Sequence, residues 1–208
     1  MQLVSSLFSA EARTEVVAAV REAEGQTAAE FVVVVRREAD PHWGAAALVG
    51  FVTATVTLLV LLFAETEFAT HFIPIDIAFA FVTGVGLFRL APFGARLFVS
   101  PHHRRDAALK AAKAAFYDLG VSKTRDRTGV LVFAAMAERV AVVLQDVGLD
   151  TKSAGEAWSL AVTGAQSGVA ANDSAALARA VVEMGKALGA LYPRKEDDAN
   201  ELPDEMVS

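Results

Sequence analysis

The stretch "EFVVVVRRE" (Glu30–Glu38) is followed closely by "GAAALVGFVTATVTLLVLLF" (Gly44–Phe63), and the relation between the two decides the fold. The first is short and apolar on both faces, as a central strand covered on two sides would be. The second carries no charge from Ala45 to Phe63, 19 residues. As a helix it would reach about 28 Å, close to the roughly 30 Å of a bilayer's hydrocarbon core. A buried strand is far shorter, so the second run predicts a spanning helix.

A second run, "FIPIDIAFAFVTGVGLFRL" (Phe72–Leu90), predicts a return span. Asp76 falls in its first turn, near the interface, where a charge costs much less than at mid-membrane. Pro74 is tolerated in a first turn, and Arg89 at the far end can snorkel. The plainer alternative is a buried core helix or a re-entrant segment. The link between the runs, "AETEFATH" (Ala64–His71), has two acids and no lysine or arginine. On the other side stand Arg36, Arg37, Arg96, Arg104 and Arg105. Short basic flanks stay inside. Both halves of the chain are therefore expected in the cytoplasm, with a two-span hairpin in the inner membrane. Ala46, Gly50 and Ala54 in one run, and Ala80 and Gly84 in the other, form small faces. Such faces pack the hairpin on itself or a second copy against it.

Outward from the hairpin, the chain reads as one interrupted α/β domain. Ser9 can cap a helix through Glu24, with Ala12, Val16, Val20 and Ala23 as its apolar stripe. After Pro101 a helix aligns Leu109, Ala112, Phe116 and Leu119, and Gly120 can stop it. "TGVLVFAA" and "RVAVVLQ" read as two strands joined around Met136–Glu138. Two helices follow, one burying Trp158, Ala161, Val162 and Ala165. The other starts near Asp173, buries Leu177, Val181, Met184, Leu188 and Leu191, and ends by Pro193. A strand–helix–strand crossover makes the first two strands parallel. One strand cannot bury its faces alone, so two crossings bring the chain back to finish the sheet. The expected units are 1–40 with 100–193 as a split domain, 44–90 as the hairpin, and 194–208 as an acidic tail, either folded back on the domain or a flexible tether.

The chain has 208 residues, no cysteine and a net charge of −6. Disulfides and thiolate chemistry are excluded. The last 14 residues hold six acids and one lysine, so the remainder is near neutral and a nucleic-acid role is disfavoured. The start lacks the basic and apolar regions of a signal peptide.

Three stretches resemble the TPM domain family: "EAEGQTAAEFVVVVR" (Glu22–Arg36), "AFYDLGVSKTRDRTGVLVFAAMAERVAVVLQDVGLD" (Ala115–Asp150) and "ALYPRKEDDANELPDEMV" (Ala190–Val207). The segment from Thr124 to Val140 carries the most specific part. The chain is similar to the bacterial membrane branch, where a hairpin follows the first strand. The resemblance implies a three-layer α/β sandwich around a small mixed sheet. Some relatives bind calcium or other divalent ions, some have been assigned acid phosphatase activity, and others assist the upkeep or assembly of membrane complexes. The chain departs from the soluble relatives in lacking their early aspartate, and in having "DVGLD" (Asp146–Asp150) where they carry a glycine-rich loop.

Candidate chemistry is sparse. Glu30, Asp146 and Asp150 at strand ends offer oxygen ligands for Ca²⁺ or Mg²⁺. The plainer reading has Asp146 shaping a turn and Asp150 capping the next helix. Glu138 and Arg139, at a strand-hairpin tip, offer a contact to a partner or substrate or, more plainly, a solvated ion pair or turn contact. Arg125 and Arg127 suit phosphate or lipid head groups, or pair with the acidic tail. Trp43, Arg104 and Arg105 are candidate lipid anchors. His102 and His103, being adjacent, face different ways on a helix and do not favour one ion. No phosphate loop, G-x-S-x-G, H-E-x-x-H or EF-hand loop is present, and no cofactor is required. The expected role is a non-catalytic binding or accessory module, with the bilayer and a membrane protein or a second copy as partners. The rival is a metal-dependent phosphohydrolase.

Overall fold

Seven consecutive residues, Glu30–Arg36, form β1, and Phe31–Val35 are 2% exposed or less because helices cover both faces. The computed structural model describes residues 6–40, 43–64, 71–90, 100–194, 201–202 and 206–207. The chain divides into two compact units. One is Met1–Asp40 with Arg104–Ser208, and the other is Pro41–His103.

The first unit is a three-layer α/β sandwich. Helix α1 (Ala10–Glu24) begins where the Ser9 hydroxyl accepts the Ala12 N–H at 3.1 Å, leaving one fewer unsatisfied amide in the first turn. Its buried stripe includes Ala12, Val16, Val20 and Ala23. Strand β2 (Gly129–Ala135) lies parallel to β1, from Glu30 opposite Gly129 to Arg36 opposite Ala135. Strand β3 (Val140–Gln145) returns antiparallel, Val130 facing Gln145 and Ala135 facing Val140. Alternate residues point to opposite faces. Phe31, Val33, Val35, Val130, Val132 and Ala134 share a core with α1, α5 (Gly155–Ala171) and α6 (Ser174–Gly189). Val32, Val34, Leu131, Phe133 and Ala135 share the other with the helix Pro101–Asp118, through Ala108, Ala112, Ala115 and Phe116.

Of the two places open to the acidic tail, its described residues take the one folded back on the domain. Met206–Val207 form a two-residue strand, β4, parallel to β1 beside Val33 and Val34, giving the sheet order β3-β2-β1-β4. Leu202 and Met206 are buried, so two apolar residues anchor the tail despite its charge. Farther along the same strand, the Glu24 carboxylate accepts the Phe31 N–H at 3.0 Å. An open strand edge invites pairing with other chains; here a carboxylate and a short strand occupy it. Leu191 is 42% exposed rather than inward, because α6 ends at Gly189 before reaching it.

The second unit is a helical hairpin of α2 (Trp43–Phe63) and α3 (Ile73–Leu90); the helix Pro101–Asp118 is α4. Ala46, Gly50, Gly84 and Phe88 are its buried residues. A Cβ on Gly50 would lie 2.7 Å from Val85 Cγ2, and one on Gly84 would overlap Thr53 Oγ1. The small residues therefore set the close approach of the two helices. Thr53 Oγ1 donates to the Val49 carbonyl within its own helix, at 2.8 Å, so the hydroxyl is satisfied without water. Both helices are long and apolar enough to cross a membrane, and only 17% and 11% of their apolar windows are buried.

Candidate functional site

The chemistry-bearing residues collect at the two ends of the sheet. At one end, the turn after β3 folds onto the loop before β2. Asp146 is 4% exposed. Its carboxylate takes a bidentate pair from Arg127, Nε to Oδ2 at 2.6 Å and Nη2 to Oδ1 at 2.9 Å. Oδ1 also accepts the Val147 N–H at 2.8 Å. Burial acts against the charged form, but the hydrogen bonds from Arg127 and Val147 outweigh it and hold the Asp146 pKa below its ordinary value. Gly148 N–H donates to the Arg127 carbonyl at 2.9 Å. A Cβ on Gly148 would overlap the Asp126 carbonyl, so a larger residue would push the two loops apart. Arg127 itself sits at φ 58°, an uncommon conformation for a residue with a side chain.

Thr128 and Tyr192 tie the same end together. Thr128 Oγ1 donates to the Ala28 carbonyl at 3.1 Å, and the Thr128 N–H donates to Thr124 Oγ1 at 3.0 Å. The Tyr192 hydroxyl accepts the Asp150 N–H at 2.6 Å, and the Tyr192 carbonyl accepts from Thr27 Oγ1 at 2.8 Å. The Asp150 carboxylate accepts from Ser153 Oγ at 2.6 Å and from the Lys152 and Ser153 amides. The Ser153 hydroxyl bond foremost lowers its pKa.

The metal-ligand expectation for Glu30, Asp146 and Asp150 does not correspond to an assembled site. Among the described residues, no three histidine, aspartate or glutamate side chains are grouped to hold a metal ion. The reason is local. Asp146 is committed to Arg127, and Asp150 to the turn Thr151–Ala154. Glu30 is a buried first residue of β1. Asp150 also caps that turn rather than α5, whose N-cap is Ala154. Arg125 meets the tail through its backbone, its N–H donating to Glu201 Oε2 at 2.7 Å, whereas Arg127 pairs with Asp146 instead.

At the opposite end, Glu138 is 1% exposed rather than on a solvated tip. Its Oε1 accepts the Ala39 N–H at 3.1 Å and the Asp40 N–H at 3.4 Å. The turn between β2 and β3 is thereby pinned to the segment leaving β1, which Met136 and Ala137 reinforce with amide bonds to the Arg36 and Arg37 carbonyls. Arg104 Nη1 donates to the Glu138 carbonyl at 3.4 Å, so this candidate anchor is partly drawn into the domain. Arg105 and Arg139 are exposed, the latter at φ 54°. A cavity of about 560 Å³ lies here, lined by Phe8, Arg36, Arg37 and Glu38, with the Arg37 guanidinium 5.9 Å from the Phe8 ring centre. In the hairpin unit, the Arg89 guanidinium lies 4.1 Å over the 60% exposed Trp43 ring.

Sequence reasoning passed over Glu24 as a structural carboxylate. Its signal was present: it lies four residues beyond Val20 on the buried stripe of α1, and a charge at such spacing needs an interior partner.

No family model matches the chain, and no curated protein matches it. Among solved structures it is similar to the NMR structure of BA42 protein from the psychrophilic bacterium Bizionia argentinensis, at 17% sequence identity and a TM-score of 0.59. The match covers 100% of this chain and 99% of that one. At this identity the likeness establishes the α/β fold and nothing of activity.

Proposed function

We propose that this chain is a TPM-like domain fixed by its own hairpin to the inner face of the cytoplasmic membrane. Both termini are cytoplasmic, and its work is binding a membrane protein, a complex or a second copy rather than catalysis. The observation that carries this is the exposure of α2 and α3. Side chains such as Phe51, Val56, Leu62, Phe79 and Val82 are more than half exposed, while the sandwich completes both of its cores without the hairpin. Apolar surface on this scale needs a cover other than water, and helices satisfy their own backbone in lipid. The basic flanks and the link without lysine or arginine support the orientation.

The phosphohydrolase rival draws no support from a geometry in which Asp146 is held by an arginine and Asp150 by its own turn. The test is expression of the full chain in a bacterial host with a phosphatase reporter fused after Ser208. Membranes washed with alkaline carbonate should retain the fusion, and the reporter should be inactive. An active reporter, or release by carbonate, would overturn the placement.

A further inference from the structure

We infer that the end of the sheet from which the hairpin departs is a docking surface for the phosphates of anionic phospholipids. This rests on the membrane reading above and adds what the domain itself contributes to it. The chain leaves the domain after Asp40 and re-enters it at Arg104. Three peptide links separate Asp40 from Trp43, a reach of about 11 Å at 3.8 Å per link. If α2 spans, this short link bounds the distance from Asp40 to its first turn at about 11 Å, the same order as the Debye length of about 8 Å at physiological salt.

Three separate segments bring arginines here: Arg36 and Arg37 at the end of β1, Arg139 in the β2–β3 turn, and Arg104 and Arg105 on α4. Arg36, Arg37, Arg105 and Arg139 are all exposed. The acids of the same segments are fewer, namely Glu38, Asp40 and Asp106, because Glu138 is turned inward onto the Ala39 and Asp40 amides. That inward turn also fixes the β2–β3 connection against the segment leaving β1, which holds Arg139 at the same sheet end as Arg36. The arrangement is spread over three separate segments, which suits a surface of many phosphates. Guanidinium groups bond phosphate oxygens in pairs. The opposite sheet end differs: its best-placed cation, Arg127, is taken up by Asp146.

The cysteine-free sequence permits a direct test on the full chain. Single variants Glu38→Cys and, as a control at the other sheet end, Val147→Cys carry a fluorophore. Each is reconstituted in vesicles of phosphatidylcholine, or of phosphatidylcholine with 30% phosphatidylglycerol, containing a headgroup nitroxide quencher. Quenching at position 38 should rise with phosphatidylglycerol, fall at high salt, and be lost in Arg36→Gln/Arg37→Gln/Arg139→Asn. Each arginine should account for about a fivefold change in the docked-to-undocked ratio. Asparagine is chosen at 139 because it tolerates a positive φ, and the triple lysine variant should restore most of the effect. Position 147 should not respond. Equal quenching in both lipids, or quenching indifferent to the arginine variants, would overturn the surface while leaving the hairpin in place. Failure of the chain to co-float with either vesicle would instead remove the membrane reading, and this surface with it.

Discussion

Strand β1 and helix α2 lie a few residues apart and are both strongly apolar, yet they end in opposite surroundings. Phe31–Val35 are enclosed by protein on both faces. In α2, Phe51 is 69% exposed and Phe63 81%. Hydrophobicity alone does not separate the two. Length does: seven residues make a strand that a small sheet and its helices can cover, and 21 make a helix that lipid can. The apolar residues of this molecule are thus of two kinds, one enclosed by folding and one exposed on helices long enough to cross a membrane.

The largest expected effects break or sharpen that contrast. Val33→Asp places a charge at a fully buried position of β1. It should cost more than about 4 kcal/mol and abolish the domain's cooperative melt. Val52→Asp in α2 should leave the domain's melt unchanged in detergent and instead impair membrane insertion, by about 3 kcal/mol at a helix centre. If both substitutions unfolded the domain alike, the contrast would be wrong. Gly84→Val comes next. The added side chain meets Thr53 and Gly50, and overpacking of this kind costs about 1–3 kcal/mol. Hydrogen exchange should increase in α2 and α3 and stay the same in β1 and β2.

Asp146→Asn tests whether the loop clamp is structural. Because Arg127 is half in solvent, the loss should be about 1–2 kcal/mol, at the low end for a charged hydrogen bond. The folded pKa of Asp146 lies below its ordinary value. Its contribution is therefore full above the unfolded value of about 3.9 and is lost as pH falls through the lower folded value. The wild-type and Asp146→Asn melting temperatures should converge under acid conditions and separate near neutrality. The smallest effect is expected from Ca²⁺, Mg²⁺ or Mn²⁺ added to the chelator-treated chain. A site filled at 100 times its dissociation constant would add about 2.7 kcal/mol. No shift of that size should appear in the thermal melt, and a saturable one that Asp146→Asn removes would restore a metal role.

Much of the sandwich was legible in the sequence because local signals and long-range pairing agreed. Ser9 and the stripe through Ala23 mark α1, and the crossover rule makes β1 and β2 parallel, as observed. Strand β4 was not legible. Two residues at the end of a charged run carry no period, and their pairing with β1 is set by burial of Leu202 and Met206 far along the chain. The partners of Glu138 were hidden for the same reason. A turn glutamate looks solvated until the backbone of Ala39 and Asp40, about a hundred residues earlier, arrives over it. The carboxylates at the other end of the sheet illustrate a further limit. Residue type suggested ligands, but Arg127 and Ser153 had already claimed the oxygens.

The most direct test of the account places single cysteines in the cysteine-free chain, one in the link between α2 and α3 and one at Val147, and labels intact bacteria with a membrane-impermeant maleimide. The account predicts reaction at the link in intact cells and at position 147 only after the membrane is opened. Equal labelling of both positions before permeabilisation, or of neither until afterwards, would contradict a hairpin that crosses the membrane twice and returns the chain to complete its sheet.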